Sequence, residues 1–116
     1  MDKGIEMTDR ELLGLAAKAA GYNIAGEADS MIVQHNYGCD AFIIRNDKGG
    51  GSLWNPLTDD GDALRLAVKL QLSPEYDCDE IYVSAGPDFT ATENNADPYA
   101  ATRRAIVRAA AEIGSK

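Results

Sequence analysis

Residues 54–70, WNPLTDDGDALRLAVKL, contain a tryptophan, an Asn-Pro pair that interrupts regular secondary structure, and the start of an amphipathic helix. Proline disfavours helical backbone at the residue before it, so Asn55 is expected to be extended. Aspartates at a helix start accept hydrogen bonds from free backbone N–H groups and suit the positive end of the helix dipole. The sequence therefore predicts Asp59 or Asp60 as the N-cap and places Asp62 in the first turn.

The helix that follows has apolar residues at a period of 3.6, which indicates one buried face. That face is predicted to contain Ala63, Leu66, Ala67 and Leu70, widened by Leu64 and Val68. Trp54 is expected to anchor the preceding loop against a sheet. The alternative is an exposed tryptophan that binds a partner.

A first helix is predicted over DRELLGLAAKAA, because Thr8 and Glu11 have the spacing of a capping box. A last helix is predicted from Pro98, with Asp97 as its N-cap and Gly114 as its end. The expected inner face of this last helix consists of Tyr99, Thr102, Ile106, Ala110 and Ile113.

Runs of β-branched and aromatic residues between these helices predict short strands joined by turns. The predicted strands are residues 31–35, 40–45, 52–54, 80–86 and 88–93. Helices alternating with pairs of strands indicate an α+β fold with a largely antiparallel sheet and two or three layers.

Three segments resemble a bacteriophage and prophage family, the phage ABA sandwich domain. They are MTDRELLGLAAKAAG, WNPLTDDGDALRLAVKL and YAATRRAIVRAAAEIG, within residues 8–21, 53–72 and 98–114. The resemblance implies a sheet between helical layers: an α/β/α-type sandwich with a mainly antiparallel sheet of four to five strands and three helices. It implies a phage origin but no mechanism, because the family has no established activity.

The 116 residues are expected to form a single domain over 1–116, with a flexible start at 1–7 and a Gly-rich loop at 46–52. This loop lacks the lysine of a phosphate-binding loop. The sequence contains no run of about 18 apolar residues and no apolar signal core. The expected location is therefore the cytoplasm, and the resemblance to phage proteins implies that it is the cytoplasm of a bacterial host.

The net charge of −8, from 19 acidic and 11 basic residues, limits the classes of partner. Nucleic acids and anionic membranes are bound through Lys and Arg, so direct binding to either is not expected. An acidic surface suits a protein partner with a basic surface.

The sequence offers no strong catalytic or metal-binding motif. DDGD lacks the alternation of a calcium-binding loop, and helix capping explains its aspartates. His35, Cys39 and Cys78 lack zinc-ligand spacing and a fourth ligand. Because no nucleophile elbow is present, an unrecognised hydrolase would need a pocket that joins His35 to Cys39 or a carboxylate. No catalytic residue, metal or cofactor is expected.

Two binding hypotheses remain. The first is a non-enzymatic phage or prophage accessory protein that binds a bacterial or phage protein and modulates a host or defence process. The alternative is a binding protein for a small anionic ligand such as a nucleotide, held by Arg103, Arg104 and Arg108 with Trp54 or a tyrosine for stacking. These arginines also fit an ordinary solvated helix face. Homo-oligomers are compatible with the sequence but not demanded by it.

Overall fold

Three helices and seven short strands alternate along the part of the chain that the structure describes. The structure, a computed structural model, describes residues 8–24, 32–34, 40–45 and 51–116. The helices are α1 (Asp9–Ala20), α2 (Asp60–Leu70) and α3 (Pro98–Gly114). The strands are β1 (Asn23–Ile24), β2 (Ile32–Gln34), β3 (Asp40–Arg45), β4 (Gly51–Trp54), β5 (Pro74–Tyr76), β6 (Glu80–Ser84) and β7 (Thr90–Asn94). Their pairing is antiparallel, which confirms the predicted α+β class.

The N-terminal sheet is built around β3. Phe42 of β3 pairs with Ile32 of β2 and with Trp54 of β4, so β2 and β4 lie on opposite edges of β3. β1 pairs with the other end of β3. The predicted loop at 46–52 is shorter than expected because Gly51 already belongs to β4. Its residues 46–50 and the predicted flexible start at 1–7 lie outside the described residues.

The C-terminal sheet has the order β5–β6–β7 and covers one side of α3. Ile81, Val83 and Ala91 are buried on the same face of this sheet. Ser84 and Thr90 lie on the other face, where they are exposed and their hydroxyl oxygens are 3.1 Å apart. The alternation along β6 and β7 is what a strand with one covered face requires.

α3 lies at the centre of the C-terminal half, with the sheet against it and with α1 and α2 also packed on it. Its buried residues are mostly small: Ala101, Ala105, Ile106, Val107, Ala109, Ala110, Ala111 and Gly114. Gly114 is the last residue of the helix, as predicted. A Cβ at this position would overlap the carbonyl oxygen of Leu15 in α1, so glycine is required by the close approach of the two helices.

The predicted single sheet of four to five strands is not shown. The strands of the described residues fall into two sheets, and β5 was not predicted because it is three residues long and begins with proline. Among the described residues, α3 packs on one face of the C-terminal sheet and α1 packs on the far side of α3. The α/β/α prediction requires a helical layer on each face of a sheet. Periodicity identifies strands, but it carries no information on which strands share a sheet.

Two predicted helix faces are wrong in part. Leu64 and Val68 do not widen the buried stripe of α2, since they are 64% and 68% exposed. On α3, Tyr99 is 71% exposed and Ile113 is 36% exposed. Both helices carry apolar residues over more of their circumference than their neighbours cover, so the period alone predicts too wide a face.

The predicted helix caps occupy their expected places with one exception. Thr8 accepts from the backbone N–H of Glu11, whose carboxylate accepts from the N–H of Thr8. Asp59 and Asp97 are the N-caps of α2 and α3. Asp60 is not a cap: it is the first residue of α2, and its carboxylate is free to reach another element. No helix in the described ranges is both long and apolar enough to cross a membrane.

Candidate protein-binding surface

The first arginine predicted to bind an anion is bound to the chain itself. Arg103 lies on α3, and its Nη1 is 2.6 Å from Oδ1 of Asp60. Its Nε donates to the carbonyl oxygen of Leu57 at 2.8 Å. These contacts tie the middle of α3 to the start of α2 and leave the Arg103 side chain only 19% exposed.

The other two arginines also pair with carboxylates of the same chain. Arg104 contacts Asp9 at the start of α1 at 3.0 Å. Arg108 contacts Glu93 of β7 at 2.7 Å and donates to the carbonyl oxygen of Thr92 at 2.9 Å. Such partly exposed pairs are each worth at most about 1 kcal/mol, but together they fix α3 against α1, α2 and the sheet. Arg104 also approaches the carboxylate that Arg108 binds, with its Nε 4.0 Å from Oε2 of Glu93, so all three arginines are engaged by groups of the chain itself.

Trp54 is an interior anchor. It is 2% exposed, and its ring meets the ring of Tyr22 edge to face, with centroids 5.3 Å apart and planes at 77°. This geometry is a favoured arrangement of two aromatic rings. Trp54 therefore belongs to the core, and it is not available to stack on a ligand or to insert into a partner.

Two tyrosines are exposed on neighbouring elements, and one of them, Tyr99, was predicted to lie on the buried face of α3. Tyr76 of β5 is 62% exposed, and Tyr99 in the first turn of α3 is 71% exposed. The hydroxyl of Thr102, one turn after Tyr99, lies 3.3 Å from the hydroxyl of Tyr76. Exposed tyrosine provides both apolar area and a hydroxyl, and it is enriched in protein interfaces.

Aspartates surround these tyrosines. Asp77 and Asp79 form the tip of the β5–β6 hairpin and are exposed. The N–H of Asn95 donates to the carbonyl oxygen of Asp79, which brings the tip against the turn that leads to Asp97. We call this surface the acidic tyrosine patch; it consists of Tyr76, Asp77, Asp79, Asp97 and Tyr99.

The charge of the patch was readable from the sequence. Residues 70–102 contain seven acidic residues and no lysine, arginine or histidine. This segment therefore carries most of the net charge of −8. Several negative charges on one surface strengthen the negative electrostatic potential there and increase the association rate with a positively charged partner.

The pKa of Tyr82, beside the patch, responds to this charge. The Tyr82 hydroxyl donates to Oε1 of Glu80 at 2.8 Å. This hydrogen bond, partial burial, and the negative charges of Glu80, Asp77 and Asp79 raise the pKa of Tyr82 from 10.0 to about 12. Each contribution opposes the formation of a further negative charge at this position.

Tyr82 is expected to ionise near pH 12 in an alkaline titration. In the unfolded chain its pKa is about 10, so the unfolded chain loses this proton first as the pH rises. The contribution of Tyr82 to stability is therefore complete below about pH 10 and is lost between about pH 10 and 12. Tyrosinate absorbance measures the titration. Tyr82→Phe should remove a step near pH 12, and Glu80→Gln should move that step to lower pH; an unchanged curve for both variants would contradict the assignment.

Among the described residues, no group of three or more His, Cys, Asp and Glu side chains is placed to hold a metal ion. Cys78 is an exposed free thiol at the hairpin tip. His35 and Cys39, the residues that the hydrolase hypothesis needs, lie outside the described residues.

Comparisons of the chain with models of known protein families, with curated proteins and with solved structures find no match. The resemblance to the phage ABA sandwich domain therefore stays a prediction. Within the part of the chain that the structure describes, the acidic tyrosine patch combines two exposed aromatic side chains with three aspartates.

Proposed function

We propose that the chain is a non-enzymatic binding module whose acidic tyrosine patch holds a protein partner with a basic surface. The observation that carries the proposal is the pair of exposed tyrosines, Tyr76 and Tyr99, within a segment that has acidic residues and no basic ones. The aspartates attract and orient a basic partner, and the tyrosine rings supply apolar area that becomes buried when the partner binds.

The resemblance to phage proteins suggests the biological setting of this proposal. The module would be a small acidic accessory protein in the cytoplasm of a bacterial host, where it binds a host or phage protein. Proteins that bind nucleic acid carry the basic surfaces that such a patch fits. Occupation of such a surface would block or modulate that protein.

The alternative of a small anionic ligand has less support. An anion at Arg103, Arg104 or Arg108 would compete with the carboxylates of Asp60, Asp9 or Glu93. Trp54, one of the aromatic residues that this alternative would use for stacking, is buried. The alternative therefore requires several internal contacts to break before a ligand is bound.

Affinity capture with the tagged chain from bacterial lysate, with and without phage infection, tests the proposal. Wild type is expected to retain a protein partner in stoichiometric amount. Tyr76→Ala combined with Tyr99→Ala should lose this partner, since both side chains are exposed and their removal leaves the core intact. The matched control is Leu64→Ala with Val68→Ala, which removes similarly exposed apolar groups outside the patch.

Recovery of the same partner by the tyrosine variant and by wild type would contradict the proposal. A nucleotide that co-purifies in stoichiometric amount without any protein would favour the alternative. Mass spectrometry of both proteins and small molecules distinguishes these outcomes in one experiment.

A further inference from the structure

The strand β7 lies at one edge of the C-terminal sheet in the described part of the chain. Hydrogen bonds from Ala85 N–H to the Phe89 carbonyl and from Asn95 N–H to the Asp79 carbonyl flank the β6–β7 ladder. In an antiparallel pair, hydrogen-bonded and non-hydrogen-bonded residue pairs alternate. The residues of β7 whose backbone groups point away from β6 are therefore Thr90, Thr92 and Asn94.

Arg108 blocks the centre of this free edge. Its Nη1 donates both to the outward carbonyl oxygen of Thr92 and to the carboxylate of Glu93, at 2.9 and 2.7 Å. A strand edge with free N–H and C=O groups is a template for another strand, and natural proteins commonly cover such edges with charged side chains. Arg108 reaches this edge from α3 and occupies its central acceptor.

The opposite edge of the sheet, formed by β5, is protected from pairing with another strand in a different way. The hydrogen bond from Asp77 N–H to the Glu80 carbonyl fixes the alternation between β5 and β6. By this alternation Pro74 faces outward, where it offers no N–H group. β5 is also only three residues long. With one outward N–H group, that of Tyr76, this edge is a poorer template for another strand than β7.

We propose that the β7 edge is a self-pairing surface for a second copy of this chain, and that Arg108 keeps it closed. Antiparallel pairing about a two-fold axis at Thr92 places the two Thr92 residues opposite each other and Thr90 opposite Asn94. Glu93 of one copy then lies opposite Ala91 of the other, so no two like charges are directly opposite each other across the new strand pair. Because Pro74 protects the other edge, the product is a closed dimer and not a fibre.

Sedimentation equilibrium of Arg108→Met tests the proposal, because methionine keeps much of the apolar stem and removes the donors. Wild type is expected to sediment as one chain, and the variant as two. Adding Thr92→Pro should restore the single chain, because the Thr92 N–H points to the free edge and its loss leaves the β6–β7 ladder intact. The control is Arg65→Met, whose guanidinium pairs with Asp59 and Asp62 on α2 and should not affect the mass.

A folded Arg108→Met variant that stays a single chain at every concentration overturns the proposal, as does a dimer that Thr92→Pro fails to dissociate. If the variant does not fold, hydrogen exchange of the wild-type protein tests whether the β7 edge is free. The amides of Thr90 and Asn94 should exchange fast, while those of Ala91 and Glu93 are protected by β6. Slow exchange at Thr90 and Asn94 would show that the edge is not free and would overturn the proposal.

Discussion

Replacing Trp54 with alanine is expected to lower the free energy of unfolding by about 3–5 kcal/mol, the usual cost of removing a large buried aromatic side chain. Trp54 is 2% exposed and packs edge to face on Tyr22, so its removal leaves a cavity between a strand and the region that follows α1. Chemical denaturation followed by circular dichroism measures the loss. Fluorescence is unsuitable for the variant because the chain has one tryptophan.

Tyr99→Ala is the matched control for Trp54→Ala. It also removes an aromatic ring, but from a residue that is 71% exposed, so its free energy of unfolding should stay within about 0.5 kcal/mol of wild type. The two variants should behave oppositely in partner capture, where Tyr99→Ala weakens binding. A Trp54→Ala protein that is as stable as wild type but has lost its partner would make Trp54 a binding residue and contradict its place in the core.

Replacing Gly114 with alanine is expected to destabilise the protein by about 2 kcal/mol or more. In an isolated helix this change would be favourable by up to about 1 kcal/mol, because alanine is the better helix former. Here the added Cβ would overlap the carbonyl oxygen of Leu15 and lie 2.8 Å from its carbonyl carbon. Backbone atoms of a packed helix cannot move aside locally, so α1 and α3 must separate, and overpacking of this kind costs about 1–3 kcal/mol or more.

Gly61→Ala is the matched control for Gly114→Ala. Gly61 also lies in a helix, but its added Cβ would meet only the tips of the Arg65 and Asp59 side chains, at 3.2–3.3 Å. These flexible groups can give way, so this variant should be as stable as wild type or slightly more stable. Thermal unfolding of both proteins measures the difference. Equal stability of the two variants would contradict the close packing of α1 on α3.

The helices could be predicted from the sequence because their signals are local. A capping residue such as Thr8 or Asp97 and a period of 3.6 residues are both contained within one helix. Most of the strands pair with their neighbours in the chain, but nothing local shows that β4 belongs to one sheet and β5 to another. The α+β class was therefore predicted correctly, and the single sheet of four to five strands was not.

The surface was harder to predict than the helices. The sequence shows that Arg104 is charged, but it does not show that Asp9, 95 residues away, neutralises it. Tyr99 fits a buried helix stripe by period, yet α3 buries a different set of residues because the sheet and α1 both contact it. The acidic bias of residues 70–102 is a sequence property, and it was the one available signal for the acidic tyrosine patch.

Hydrogen exchange of the chain, alone and in complex with the partner that it captures, tests the central claim most directly. The account predicts new protection of amides in residues 74–80 and 97–102, which contain the acidic tyrosine patch, and no change in α2. Protection concentrated on α2 around Leu64 and Val68, with residues 74–80 and 97–102 unchanged, would contradict it.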